Sequence, residues 1–284
     1  MLPKFRPSRL PIPVERPLEQ RLHQGAGWAA TGLSLLSFLV LVWQMLPAGT
    51  LVPTGGGSCA VFLIATALGT LLTQSRQIPG FKVLWAALII GLGGGAAHWI
   101  GAATNLPFGP LIFSEHSGPK IAGKLSWAMP WLWIIVLLNA RGVARLMLRP
   151  WRKTRPYGFW VIGITTVLVT LLVTALDPFA TRVGQYWLWL PTRFPVTWFN
   201  MPWSNALGWA LITLLLLAFV TPLLVNRSSR ARKLPPNYQP LLVWGLLLIL
   251  CALGAGIGRL WTALGFDVLL LLLTTHFAVR GARW

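Results

Sequence analysis

Leu211 to Val225 runs without a single charge, and so does Leu241 to Gly258. In water such runs would have to be buried on every side. Only 10% of the 284 residues are charged, against 55% hydrophobic, whereas a soluble domain carries about a quarter charged residues. The solvent around this chain is therefore lipid. Apolar stretches of roughly 20 residues read as membrane-crossing helices, and the chain reads as an all-α, polytopic membrane helical bundle.

Eight apolar segments can be read, at 26–46, 56–74, 83–104, 125–147, 158–176, 205–226, 240–258 and 261–279. The second is the weakest, because Gly55-Gly56-Gly57-Ser58 opens it. The basic residues give an independent test of the number. With eight spans, one side of the membrane receives the N-terminal Lys4, Arg6, Arg9, Arg16 and Arg21, then Arg76 and Lys82. It also receives six cations from Arg141 to Arg155, Arg227 to Lys233, and Arg280 with Arg283. That side holds 19 of the 24 Lys and Arg residues. Lys120, Lys124, Arg182, Arg193 and Arg259 fall on the other. Cytoplasmic loops collect positive charge, so both termini are expected in the cytoplasm; seven spans would break the alternation. The domain reading is a basic cytoplasmic N-terminal segment over 1–25, a transmembrane domain over 26–279 and a short cytoplasmic tail over 280–284. The N-terminal segment is proline-rich and expected to be irregular or interfacial. The stretch near Leu46-Pro47-Ala48-Gly49 is not expected to be a cleavage site, because the apolar run before it is long enough to span.

The net charge of +19 would suit nucleic acid on a folded basic domain. Here the cations lie between apolar spans, so no nucleic-acid partner is expected. Arg141, Arg145 and Arg149, four residues apart, are expected to meet lipid headgroups. Cys59 and Cys251 have no metal or redox spacing and read as buried structural thiols. GLGGG (91–95) and GAGIG (254–258) both contain GxxxG, which lets helix backbones approach closely in lipid.

Chemistry in such a chain is best sought among its few intramembrane polar groups. With eight spans, His98, Asp177, Asn205 and Asp267 all fall toward the extracytoplasmic side, as do Glu115 and His116 in a connection. His276 and Asn139 fall toward the inner side. Each has a plain structural reading: Asp177 before Pro178 as a turn or cap, His98 as an interhelical hydrogen bond, Asp267 paired with Arg259, and Glu115 solvated. The connection 177–204 is unusual. It carries Tyr186, Trp187, Trp189, Trp198 and Trp203 with Pro191, Pro195 and Pro202, and has few charges. It reads as an aromatic-rich interfacial or re-entrant cap over the outer mouth of the bundle, roofing a cavity suited to a long apolar ligand.

Two stretches carry a resemblance. They are HWIGAATNLPFGPLIFSEHSGPKIAGKLSWAMPWLWIIV (98–136) and ALDPFATRVGQYWLWLPTRFPVTWFNMPWSNALGW (175–209). A Pro-Phe-Gly segment, a Pro-Trp span, an Asp-Pro, a Trp-x-Trp and an Asn-x-x-Gly-Trp occur in that order. Over roughly residues 80–280 the chain resembles the membrane carotenoid-biosynthesis family that includes carotenoid hydratases. His98, Leu111 and Phe113 stand where that pattern has an acidic residue and tyrosines; Asp177, Asn205, Gly208 and Trp209 match it.

The resemblance implies an integral protein of a bacterial or archaeal cell membrane that adds water to the terminal double bond of an acyclic carotenoid. Such a hydro-lyase needs a proton donor, a stabilised tertiary carbocation and a positioned water, but no cofactor and no metal. Asp177 is the first candidate for the acid and Asp267 the second. Trp187, Trp189 and Trp209 are candidates for the cation-facing wall, with Phe108 of the Pro-Phe-Gly segment as a further substrate contact. His98 or Asn205 would hold the water. The expected partners are membrane lipid and a carotenoid or other long isoprenoid. The alternative is a non-catalytic carotenoid- or lipid-binding subunit of a larger membrane complex. A prenyltransferase would need paired Asp-rich motifs for Mg²⁺, and a di-iron desaturase would need histidine clusters. Five acidic residues and four scattered histidines supply neither. A transporter would predict broken helices in matched halves, and no such symmetry is visible.

Overall fold

Lipid offers a peptide group no hydrogen-bond partner, so a spanning segment must satisfy its backbone internally. The apolar segments accordingly fold as helices. The computed structural model describes residues 17–45, 56–191, 197–225 and 236–284. The expected positions of Lys4, Arg6, Arg9, Arg16, the 46–49 stretch, Arg193, Pro195 and the cations from Arg227 to Lys233 lie outside the described residues. The helices are α1 (Pro17–Met45), α2 (Gly56–Ser75), α3 (Gly80–Thr104), α4 (Ala128–Met147), α5 (Tyr157–Pro178), α6 (Trp203–Val220), α7 (Gln239–Ile257) and α8 (Trp261–Ala282). Seven are long and apolar enough to cross a membrane. The eighth, α2, has a shorter apolar stretch at Cys59–Ser75, and it is the segment whose sequence signal is weakest.

Two boundaries differ from expectation for local reasons. Helix α1 begins at Pro17, inside the segment expected to be irregular; proline is well suited to a helix's first turn, where its missing N–H costs nothing. Helix α6 stops at Val220 rather than 226: Thr221 keeps helical backbone, but Pro222 has no N–H with which to continue the ladder.

Helix α4 is the axle of the bundle. It packs against α2, α3, α5, α7 and α8, and Trp133, Ile135, Leu137, Leu138 and Ala140 are fully buried. A helix buried all round must find partners for its polar groups. Asn139 Nδ2 donates to Thr70 Oγ1 at 3.0 Å and to the Ile135 carbonyl at 2.7 Å. Arg141 does not reach headgroups as expected. It is buried and its Nη2 donates to the Leu224 carbonyl at 3.0 Å, just beyond the end of α6, where a cation is favoured by the helix dipole.

The glycine run 91–95 brings α3 onto α4 and α6. Gly91 and Gly95 meet Ile134 and Pro130, Gly93 meets Leu216, and a Cβ on Gly94 would overlap the ring of Trp133. Six short strands lie at one end of the bundle, called here the capped end. They are β1 (Leu111–Phe113), β2 (Lys120–Ile121), β3 (Leu125–Ser126), β4 (Trp187–Trp189), β5 (Thr197–Trp198) and β6 (Met201–Pro202). β1 pairs with β4, β2 with β3 and β5 with β6, all antiparallel. The β5–β6 hairpin turns through Phe199 and Asn200, both at positive φ (50° and 77°), as a two-residue primed turn requires.

Candidate functional site

The capped end is organised by the Asp177-Pro178 step. Pro178 has no N–H, so the carbonyl of Thr174, one turn earlier, loses its helical donor. The indole of Trp198 supplies one instead, with Nε1 donating to Thr174 O at 3.0 Å. The chain then continues through a wide π turn, Phe179–Val183, and doubles back so that β4 lies over the end of α5. Here Asp177 receives two more indoles. Trp187 Nε1 donates to Oδ1 at 3.0 Å, and Trp189 Nε1 donates to Oδ1 at 3.0 Å and Oδ2 at 3.1 Å. Three tryptophans of the connection are therefore pinned to one helix end.

Strand β1 joins the other outer connection to this roof. Leu111 pairs with Trp189 and Phe113 with Trp187, while Ile112 and Leu188 face outward. The Ser114 amide extends the pairing to Tyr186 O at 3.0 Å, and the Leu190 amide reaches Pro110 O at 3.0 Å. The expected cap thus exists in the described residues as two interleaved connections rather than one.

Beneath the roof sits an aromatic cluster centred on His98. Its ring stacks on Phe108 (centroids 4.0 Å, planes 29° apart) and meets Trp209 edge-on at 5.1 Å. Trp209 stacks on Trp133 at 3.9 Å and 17°. Trp133 Nε1 lies 3.0 Å from His98 Nδ1, and the Gly94 carbonyl lies 3.3 Å from the same nitrogen.

One cavity adjoins this cluster, and a second lies beside the first. The smaller, about 10 Å³, is lined by His98, Asn205, Trp187, Trp189 and Trp209 together with Leu111, Phe113, Met129, Val173 and Leu176. That volume is about one water molecule. The larger, about 90 Å³, is apolar and lies among α1, α2, α4, α5 and α7. Phe113, Met129, Leu176 and Trp187 line both cavities and form the partition between them.

The sequence candidates separate on this geometry. His98, Asn205, Trp187, Trp189 and Trp209 converge on the small cavity. Asp177 touches that wall only through its two indoles and lines neither cavity. Phe108 is buried against Gly101 and Gly208 and backs the His98 ring rather than facing a cavity. Asp267 is buried on α8, away from both cavities. Among the described residues its two oxygens have no hydrogen-bond partner, and the pairing with Arg259 is not formed. Glu115 is exposed and pairs with Lys120; the hydrogen bond and charge of that ammonium hold its carboxyl below the usual range. His116 borders the larger cavity.

Sequence reasoning did not single out Trp133 or Met129, and it marked Phe113 only as a departure from the family pattern. A usable signal existed for Trp133. A run of glycines on one span implies something bulky opposite, and the Pro130-Trp131-Leu132-Trp133 stretch of the next span provides it.

A membrane helical bundle whose capped end holds an apolar cavity and a water-sized one bordered by His98 and Asn205 defines an integral-membrane protein. A family model described as carotenoid biosynthesis protein matches residues 56–274, and the chain belongs to that family. It is also similar to the bisanhydrobacterioruberin hydratase of Haloarcula japonica, at 27% identity over 113 residues. That match covers 39% of this chain and 36% of the relative, so the chain aligns with about a third of that protein's length. No solved structure matches.

Proposed function

We propose that this protein adds water across the terminal double bond of an acyclic carotenoid end. The observation that supports this reading best is the pair of cavities sharing a wall: an apolar one sized for an end group, and one the size of a single water that His98 and Asn205 border. A volume of about 90 Å³ holds the tip of such a pigment only, so the polyene would extend into the bilayer. The capped end would face the extracytoplasmic side, with both termini cytoplasmic and residues 26–279 forming the membrane domain.

In the reaction, the alkene π electrons take a proton at the less substituted carbon and leave a tertiary carbocation. The faces of Trp187, Trp189 and Trp209 stabilise that charge. A water held by His98 and Asn205 attacks the cation, and its surplus proton returns to the acid, so no electron is lost or gained. Asp177 is the carboxyl best placed to serve as that acid. Its oxygens are engaged by Trp187 and Trp189, so delivery requires one indole to swing away. Proton transfer is thereby coupled to movement of β4.

The same engagement favours a second reading, a carotenoid-binding subunit without catalysis, in which Asp177 only fastens the cap. Expression in cells that make lycopene or gamma-carotene, followed by chromatography and mass spectrometry, separates the two. Hydration gives a pigment heavier by one water that disappears in Asp177→Asn at equal protein level. Unchanged pigment that co-purifies with the protein makes it a binder. Full activity in Asp177→Asn removes Asp177 as the acid.

A further inference from the structure

Trp133 lines neither of the two cavities, yet it decides what the small one presents. An indole N–H can only donate. With Trp133 Nε1 3.0 Å from His98 Nδ1, that ring nitrogen must offer a lone pair. A proton on Nδ1 would point two N–H groups at each other, which excludes both the Nδ1–H tautomer and the doubly protonated ring. The ring proton therefore sits on Nε2. Both polar contacts of His98 are made at Nδ1. Among the described residues Nε2 takes no hydrogen bond, and His98 lines the small cavity.

We propose that Trp133 is a positioning residue that fixes the His98 tautomer, so that Nε2–H points into the small cavity and makes it a seat for one ligand oxygen. Asn205, which lines the same cavity, supplies the complementary acceptor through its amide oxygen. A water bound there accepts from His98, donates to Asn205 and keeps a lone pair free for attack. A tertiary alcohol would place its oxygen in the same spot. The oxygen-seat half rests on the proposed hydration, but the tautomer half does not.

The Gly94 carbonyl makes the tautomer switchable. At 3.3 Å from Nδ1 it waits as an acceptor for a proton that Trp133 excludes. In Trp133→Phe the indole donor is gone, and the ring proton moves to Nδ1 and onto Gly94 O. Nε2 then turns a lone pair, not a proton, into the cavity. The packing keeps Trp133 in this place, with Trp209 stacked on one side and Gly94 giving room on the other.

The test uses full-length protein carrying ¹⁵N-labelled histidine in lipid nanodiscs. The chain has four histidines, and His98→Gln identifies the His98 signals by their loss. The expected spectrum has His98 protonated on Nε2 with bare Nδ1, and the reverse pattern in Trp133→Phe. Protonation on Nδ1 in the wild type overturns the proposal by itself, even where the variant does not fold. An unchanged tautomer in folded Trp133→Phe overturns it as well. The ligand half is read by comparing a tertiary-alcohol-ended acyclic carotenoid with lycopene. Wild type should prefer the alcohol, and Trp133→Phe should weaken alcohol binding roughly tenfold while leaving lycopene unchanged, the size of one hydrogen bond. Equal binding of the two pigments in both proteins, with the expected tautomer, overturns the oxygen seat alone.

Discussion

Asp177 and Asp267 are the same residue type, each in a membrane-spanning helix, and they are 0% and 1% exposed. Their surroundings could hardly differ more. Asp177 accepts three hydrogen-bond contacts from two indoles. Among the described residues Asp267 accepts none, and both of its oxygens are buried without a partner. Burial and residue type therefore say little about what a carboxyl does; the supply of donors around it decides. The strand that folds back over α5 brings donors to Asp177. Helix α8 packs on α7 and α4, and although Trp198 of β5 packs on the neighbouring Phe266, its N–H is spent on the Thr174 carbonyl and not on Asp267.

Substitutions should separate the two in sign as well as size. Asp177→Leu strands two indole N–H groups beneath the roof. It should lower stability by on the order of 3 kcal/mol, since each buried donor left unpaired costs about 1–3 kcal/mol; the unfolding midpoint in detergent reads this directly. Asp177→Asn keeps one acceptor oxygen but offers an N–H where Trp189 also donates, and should cost about 1–2 kcal/mol by the same measurement. Asp267→Leu should act the other way and raise stability by about 1 kcal/mol, because it removes a buried polar group that has no partner. A drop as large as that of Asp177→Leu would mean that Asp267 has an essential role and would end the contrast.

Glu115 supplies the smallest effect. Its carboxyl is exposed and paired with Lys120, and exposed pairs contribute little. Glu115→Gln should lower the midpoint only slightly near neutral pH. The sign of the pH dependence follows from a carboxyl held below its usual range by Lys120. Whatever the pair contributes is present above the ordinary carboxylate range and is lost as the pH falls through the lowered value. Wild type and Glu115→Gln should converge in acid, and a widening gap there would refute the pairing.

The membrane bundle was legible in the sequence because lipid leaves a span few options: uncharged runs of the right length become helices. The weak second segment, the cap over 177–204 and the shared end of the molecule for His98, Asp177 and Asn205 could also be read. The opposite fates of Arg141 and Asp267 could not. Arg141 lies on a four-residue ladder that looks like a headgroup-facing stripe, yet α4 is buried all round, and only tertiary packing reveals that. Asp267 sits eight residues after Arg259, which puts the two on one side of a helix but about 12 Å apart along it, beyond the three- and four-residue spacings at which side chains pair. Arg259 also lies before α8 starts, at a positive φ of 55°. The strand pairing of two distant connections was also out of reach, since three-residue strands carry almost no periodic signal. The glycine run on α3 could have pointed to Trp133 as its packing partner, but nothing in a lone sequence says which way a buried tryptophan aims its N–H.

The spacing of Trp187 and Trp189 turns the stretch from Pro178 to Trp187 into a ruler. Both indoles point inward because they are two residues apart on a strand, and the outward residue between them is Leu188. Sliding the strand by one position would reverse every side chain on it. Leu188 would then lie under the roof and both tryptophans would face outward, leaving the carboxyl below with no donors. A single residue inserted or deleted after the π turn would be a spatial frameshift, altering the composition of the chain hardly at all and its roof entirely.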